Sequence, residues 1–146
     1  GVDNLSKMRV AHEGNAGKNG GASGDLYVVI HTKQTPEFIR NGFDIFSEII
    51  ISTPQAVLGD EITVKTIHGE STLTIPKGVQ TGERLVLKGF GVPYLGSEHK
   101  GNHYFTIKVE TPKKLSSKEE KLYKELFILS KQNQSIVDKV KSAINR

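Results

Sequence analysis

The chain repeats itself, and the repeat limits what it can fold into. Moving the sequence by 77 residues lays Gly1-Val2 on Gly78-Val79, Lys7-Met8 on Arg84-Leu85, and Val10 on Leu87 without a gap. The same shift lays Gly14 on Gly91, Gly24 on Gly101, Tyr27 on Tyr104, Val28 on Phe105 and Ile30 on Ile107. Six of these pairs are identities and three of the six are glycines, the residues that fix loop geometry. Glycines and strand residues that match in one register point to tandem copies of one module. Nothing in the chain matches residues 35–77, so the first copy is expected to be truncated.

The repeated unit reads as β structure. Leu73 and Ile75 alternate with Thr72 and Thr74, the period of a half-buried strand. Pro76 cannot donate to a ladder and ends it, Gly78 and Gly82 bracket a turn, and Leu85 and Leu87 start a second row. In the first copy Met8 and Val10 alternate, 12–24 is a loop with five glycines, and Leu26–Ile30 is a strand apolar enough to be covered on both faces. That half-copy is expected to form a hairpin or to borrow strands from a neighbour. Its Gly17-Lys18 is not a phosphate loop, because Asn19 stands where Ser or Thr is needed.

Between the copies, Arg40-Asn41-Gly42 is a turn signal. Residues 43–52 form the longest expected strand. Phe43, Ile45, Ser47, Ile49 and Ile51 share one face; Asp44, Phe46, Glu48, Ile50 and Ser52 share the other. The second face is half apolar, so Phe46 and Ile50, with Val57 on the following turn, are candidates for a shallow site that takes another chain. Thr53 as N-cap, Pro54 at the first helical position and Gly59 as the stop predict a single helical turn. Strands follow at 60–66, 71–75 and 103–110, with His68-Gly69 at a hairpin turn.

After Pro112 the character changes. Residues 1–112 hold 11 Lys/Arg against 12 Asp/Glu, whereas 113–146 hold 9 against 4, so the basicity of the chain belongs to its tail. A helix starts at a capping box, either Ser117 with Glu120 or Ser116 with Glu119. Leu122, Leu126 and Leu129 form a stripe widened by Tyr123 and Phe127, and Asn133-Gln-Ser135 is a place where the helix could break. A broad stripe appended after a finished β module favours packing on a second copy over packing on its own sheet.

Chemistry is hard to place. The absence of cysteine excludes disulfides, thiol catalysis and Cys-based zinc within these residues. His99 and His103 flank Gly101 at a loop-to-strand junction, so helical metal spacing does not apply, and both read as ordinary surface histidines. Asp60 and Glu61 are adjacent on a strand and point apart, and no nucleophile–base–orienter set can be assembled. No catalytic residue, metal ligand or cofactor is assigned. A nucleic-acid-binding β module with a basic tail is the alternative, but the body lacks interleaved aromatic and basic residues on one face. No apolar run long enough to span a membrane is present, and a cytoplasmic setting is the default.

Four segments then give a resemblance: Gly24-Asp25-Leu-Tyr-Val-Val-Ile30, Gln55-Ala56-Val-Leu58-Gly59-Asp60-Glu61-Ile62, Ile75-Pro76-Lys-Gly78-Val-Gln80-Thr-Gly82, and Gly89-Phe-Gly91-Val-Pro93. In this order they resemble the C-terminal half of DnaJ-type J-domain co-chaperones, over residues 1 to about 125. The resemblance implies a mainly β fold of tandem β-sandwich modules followed by a C-terminal helical dimerisation segment. In this chain these would be the end of a first sandwich at 1–33, a whole second sandwich at 34–112, and a dimer segment at 113–146. It implies binding of unfolded polypeptides, a homodimer joined through Leu115, Leu122, Tyr123, Leu126 and Phe127, and a DnaK-type ATP-driven chaperone as partner. That partner is engaged by a J domain with a His-Pro-Asp motif, and zinc sits in a Cys-x-x-Cys-x-Gly-x-Gly module. Neither motif occurs in these residues, so neither activity carries over. The family's best-described peptide pocket lies mostly on strands that would precede Gly1. The expected reading is a non-enzymatic module that shelters unfolded chains, with no nucleic acid or membrane as partner.

Overall fold

A computed structural model describes residues 1–145. The chain divides into a β unit, Gly1–Glu110, and a helical unit beginning at Thr111. The β unit opens with an antiparallel hairpin, β1 (Ser6–Val10) and β2 (Leu26–Ile30). Then come β3 (Ile39–Asn41), β4 (Asp44–Ser52), the short helix α1 (Thr53–Leu58), β5 (Asp60–Thr66), β6 (Gly69–Ile75), β7 (Arg84–Leu87) and β8 (His103–Glu110). Strands β3-β4-β8-β7 make a four-stranded sheet in that order, with β4 and β8 parallel, and β5–β6 make a separate hairpin. The hairpin lies on the sheet as the second layer of a sandwich. Its Val64, Leu73 and Ile75 share one core with Ile51, Phe105 and Ile107 of the sheet, closed by Ala56 and Val79.

The alternation in the sequence explains the layers. On β4, Ile45 and Ile51 are buried and Glu48 and Ile50 are exposed; on β8, His103, Phe105 and Ile107 are buried. Helix α1 is capped by Ser52 rather than Thr53. The Gln55 N–H donates to Ser52 Oγ at 3.3 Å and the Ser52 N–H donates to Gln55 Oε1 at 2.9 Å, a reciprocal pair that a residue-type match at Thr53 misses by one position.

The 77-residue repeat is present in the backbone. In β1–β2, Lys7, Met8, Arg9 and Val10 face Val29, Val28, Tyr27 and Leu26. In β7–β8, Arg84, Leu85, Val86 and Leu87 face Thr106, Phe105, Tyr104 and His103, which is the same register. Loop hydrogen bonds match too. Gly14 N–H donates to Gly24 C=O at 2.7 Å as Gly91 does to Gly101 at 2.8 Å, and Leu5 N–H donates to Ile30 C=O at 2.7 Å as Gly82 does to Ile107 at 2.8 Å. The His12 N–H meets the Asp25 carboxylate at 3.1 Å where the Gly89 N–H meets the Asn102 side chain at 3.1 Å. Most telling, Leu5, His12 and Asn19 hold φ of 63, 63 and 55°, where their counterparts Gly82, Gly89 and Gly96 hold 91, 75 and 67°. The left-handed backbone persists where glycine does not, at a Leu as well as at a His and an Asn, two types that tolerate it better.

Three further expectations change. Strand β2 is not covered on both faces: Leu26–Val29 are exposed, because β2 pairs only with β1 whereas β8 pairs with both β7 and β4. His103 is not a surface residue but fully buried. The helix α2 (Ser117–Ile144) runs unbroken through Asn133, and its capping box is Ser116 with Glu119. The first half-copy is a hairpin, tied at its base by Arg40, whose guanidinium reaches the Val2 carbonyl at 2.7 Å and the Asp3 carboxylate at 3.1 Å.

Candidate functional site

A groove of about 480 Å³ opens between the two layers of the sandwich. One wall is β4 from Ser47 to Ile51, the other is β5 from Ile62 to Lys65, and Phe38 and Phe105 contribute apolar surface. Both walls are open strand edges. Strand β3 is three residues long and covers β4 only as far as Phe46, and β5 is hydrogen-bonded to β6 alone. Backbone N–H and C=O groups on such edges lack ladder partners and accept an added strand without reading its sequence. The rim carries Glu37, Glu48, Gln55 and Lys65, with Lys65 and Glu37 3.8 Å apart across solvent, a pair too exposed to hold the mouth closed.

A polar link from the rim to the buried His103 fixes the β4 side of the groove. The Ser47 hydroxyl donates to the Glu37 carbonyl at 2.8 Å, so its oxygen is left to accept from His103 Nε2 at 2.7 Å. The imidazole stacks on Phe105 at 4.0 Å and meets the edge of Phe38 at 5.7 Å, and its Nδ1 has no partner. Burial lowers the His103 pKa from 6.5 to about 4, since a charged ring there would lose water and gain nothing. Sequence reasoning missed this residue. The available signal was its place as the first inward residue of β8, in phase with Phe105 and Ile107.

The sequence candidates fall in different places. Ile50 is exposed on β4 and lines the groove. Phe46 lies on the outer face of the same strand, stacked on Tyr104 at 5.2 Å, with the Arg84 guanidinium over both rings at 5.3 and 5.9 Å. That ring is already engaged in a cation–π stack rather than free for a ligand. Val57 is exposed on α1 and does not line the groove, where Gln55 does. The structure therefore brings Ile50 to the groove and leaves Phe46 and Val57 outside it. On the helical unit, Leu115, Leu122, Leu126 and Phe127 are exposed, Tyr123 is half-buried, and no residue of α2 is buried.

No nucleophile–base pair faces the groove. Ser47 meets His103, but its proton is committed to the Glu37 carbonyl and the imidazole is sealed from solvent. The arrangement can hold an extended chain by its backbone and by apolar side chains.

A family model described as the DnaJ C terminal domain matches residues 1–112. Among curated relatives, a chaperone protein DnaJ of Leptospira biflexa is 49% identical over 126 residues, covering 86% of this chain and 34% of that protein. One from Lactobacillus acidophilus is 44% identical over 119 residues, 82% of this chain and 31% of its own length. One from Lysinibacillus sphaericus is 42% identical over 146 residues, 97% of this chain and 40% of its own. The chain spans about a third of the length of these relatives.

Proposed function

Because the chain belongs to the DnaJ C terminal domain family, we propose that it is a non-enzymatic chaperone module that binds extended, apolar stretches of unfolded polypeptide in the groove between β4 and β5. The observation that carries this reading is the pair of open strand edges facing each other across an apolar floor. A client strand would add to the β4 edge through backbone hydrogen bonds and set alternate side chains against Ile50, Ile62 and Phe38. Affinity then depends on apolar content rather than on a motif. Within a longer protein, clients held here would pass to a DnaK-type ATP-driven chaperone.

One shallow groove binds weakly. We place dimerisation on the helical unit, through Leu115 just ahead of α2 and Leu122, Tyr123, Leu126 and Phe127 on it. Two grooves in one dimer raise the effective concentration of a second apolar stretch of the same client, so avidity replaces tight single-site binding.

Amide shifts on titration with an alternating apolar peptide test the groove. The largest are expected at Ser47–Ile51 and Ile62–Lys65. Ile50→Arg, at an exposed position, is expected to weaken binding several-fold, as is N-methylation of the peptide backbone. Shifts centred on Val57 and Leu58, with Ser47–Ile51 silent, would rule the groove out. For the dimer, sedimentation of the chain cut after Lys114 is expected to give a monomer; a dimer would remove the helix from the interface.

A further inference from the structure

Strand β3 stops where the groove begins, and its register shows what a longer β3 would meet. Ile39 faces Phe46, Arg40 faces Ile45 and Asn41 faces Asp44. Carried on, the same register sets Phe38 against Ser47, Glu37 against Glu48 and Pro36 against Ile49. The Ile45 N–H donates away from β3, to the Asn102 carbonyl at 2.9 Å. Backbone groups alternate in direction along a strand, so those of Glu48 and Ile50 point onto the open edge. Glu37 against Glu48 would therefore exchange two hydrogen bonds, whereas Pro36 would fall where no N–H is called for.

The chain turns away instead. Thr35-Pro36-Glu37-Phe38 is a β-turn in which the Phe38 N–H donates to the Thr35 carbonyl at 3.2 Å, with proline at the second position that suits its fixed φ. The Glu37 carbonyl accepts from the Ser47 hydroxyl at 2.8 Å. Two hydrogen bonds hold the turn and two would form in the extended strand, so bond number does not choose between them. Charge does. Glu37 and Glu48 are both exposed, and extension would set their carboxylates side by side on neighbouring strands. In the turn the Glu37 carboxylate lies 3.8 Å from Lys65 instead.

We propose that Glu37-Phe38 is a strap for the groove: it lengthens β3 by one hydrogen-bonded pair onto Glu48 and closes the β4 edge, and repulsion between Glu37 and Glu48 holds it off. This rests on the reading of the groove as a site for an added strand and gives that site a regulator inside the same chain. A client strand needs the Glu48 N–H and C=O that the strap would take, so the two exclude each other. Molecules with the strap closed lower the apparent affinity in proportion to the open fraction. Closure keeps the apolar floor intact. Phe38, now edge-on to His103 at 5.7 Å, would lie opposite Ser47 and share its inward face.

Hydrogen exchange of the residue 48 amide in the peptide-free full chain reads the strap directly. Titration with an uncharged, alternating apolar peptide reads its effect on the groove. The wild type is expected to exchange this amide quickly. Glu37→Lys and Glu48→Lys each turn a repulsion into an attraction, and each is expected to raise the closed-to-open ratio about five- to thirtyfold. The sign is slower exchange at residue 48 together with several-fold weaker peptide binding. The double variant Glu37→Lys/Glu48→Lys again sets like charges opposite each other and is expected to return both readings close to wild type. That return separates strap closure from a direct effect of either charge on the peptide. Slow exchange in the wild type, single variants that exchange as the wild type does, single variants that slow exchange but bind peptide undiminished, or a double variant that stays slow would each overturn the strap. A peptide that binds no form of the chain would remove the groove reading, while exchange at residue 48 still decides whether the strap closes.

Discussion

Acid should loosen the sandwich through one residue. His103 is neutral in the fold, and a proton added to Nδ1 finds no acceptor within hydrogen-bond reach. Burial holds its pKa at about 4 against 6.5, so between those values the unfolded chain binds more protons than the folded one. Stability from this group is complete above pH 6.5 and is lost as pH falls toward 4. The gap corresponds to at most about 3 kcal/mol, at 1.36 kcal/mol for each tenfold in proton affinity. The assay is urea unfolding followed by circular dichroism from pH 7.5 to 4.5 at one protein concentration, because dimerisation would otherwise shift the midpoint. His103→Leu is the matched variant, since Leu26 holds the equivalent place in the first copy. The two proteins differ in this one side chain, so the difference in slope isolates the imidazole. The variant carries a constant cost from leaving Ser47 without its donor, of about 1 kcal/mol. Equal slopes below pH 6.5 would refute the buried neutral imidazole. Because Ser47, Phe38 and Phe105 touch His103 and line the groove, peptide affinity should fall over the same pH range in the wild type and hold steady in the variant.

The repeat supplies further expectations. A Cβ on Gly101 would overlap the Phe43 carbonyl, whereas one on its counterpart Gly24 meets nothing closer than the Asn15 carbonyl at 3.9 Å. Gly101→Ala should therefore destabilise by about 1–3 kcal/mol or more while Gly24→Ala is tolerated, as thermal melts would record; equal effects would mean that the β3–β4 turn does not press on the loop. Leu5→Gly should relieve a left-handed backbone that costs a branched residue about 1–2 kcal/mol, visible as slower amide exchange across β2, and unchanged exchange would argue against φ of 63° in solution. Arg40→Ala should free the β1–β2 hairpin from the sandwich and speed its exchange without moving the amides of β8; protection retained across β2 would show that Arg40 is not the tie.

Local rules governed much of this protein. Period-two alternation set the inward rows of β4, β5, β6 and β8, because a pleated strand offers no other way to hide every second residue. The 77-residue shift placed the strands of the two copies in equivalent registers, and a Ser-x-x-Glu box marked the start of α2. The alternation and the box depend on neighbours close in sequence, and the shift only on comparing the chain with itself, so residue order alone determines all three. Tertiary structure decided which edges stay open. Alternation assigns a residue to a face but not a strand to a place in the sheet, so the groove followed only from a β3 too short to cover β4 and a β5–β6 hairpin laid across it. The burial of His103 came from Phe38, Ser47 and Glu37, more than fifty residues upstream and brought in by the β3–β4 turn. The left-handed residues Leu5, His12 and Asn19 make the same point in reverse. Residue type argued against that backbone at Leu5, where the N–H is held by the Ile30 carbonyl at the open end of the hairpin.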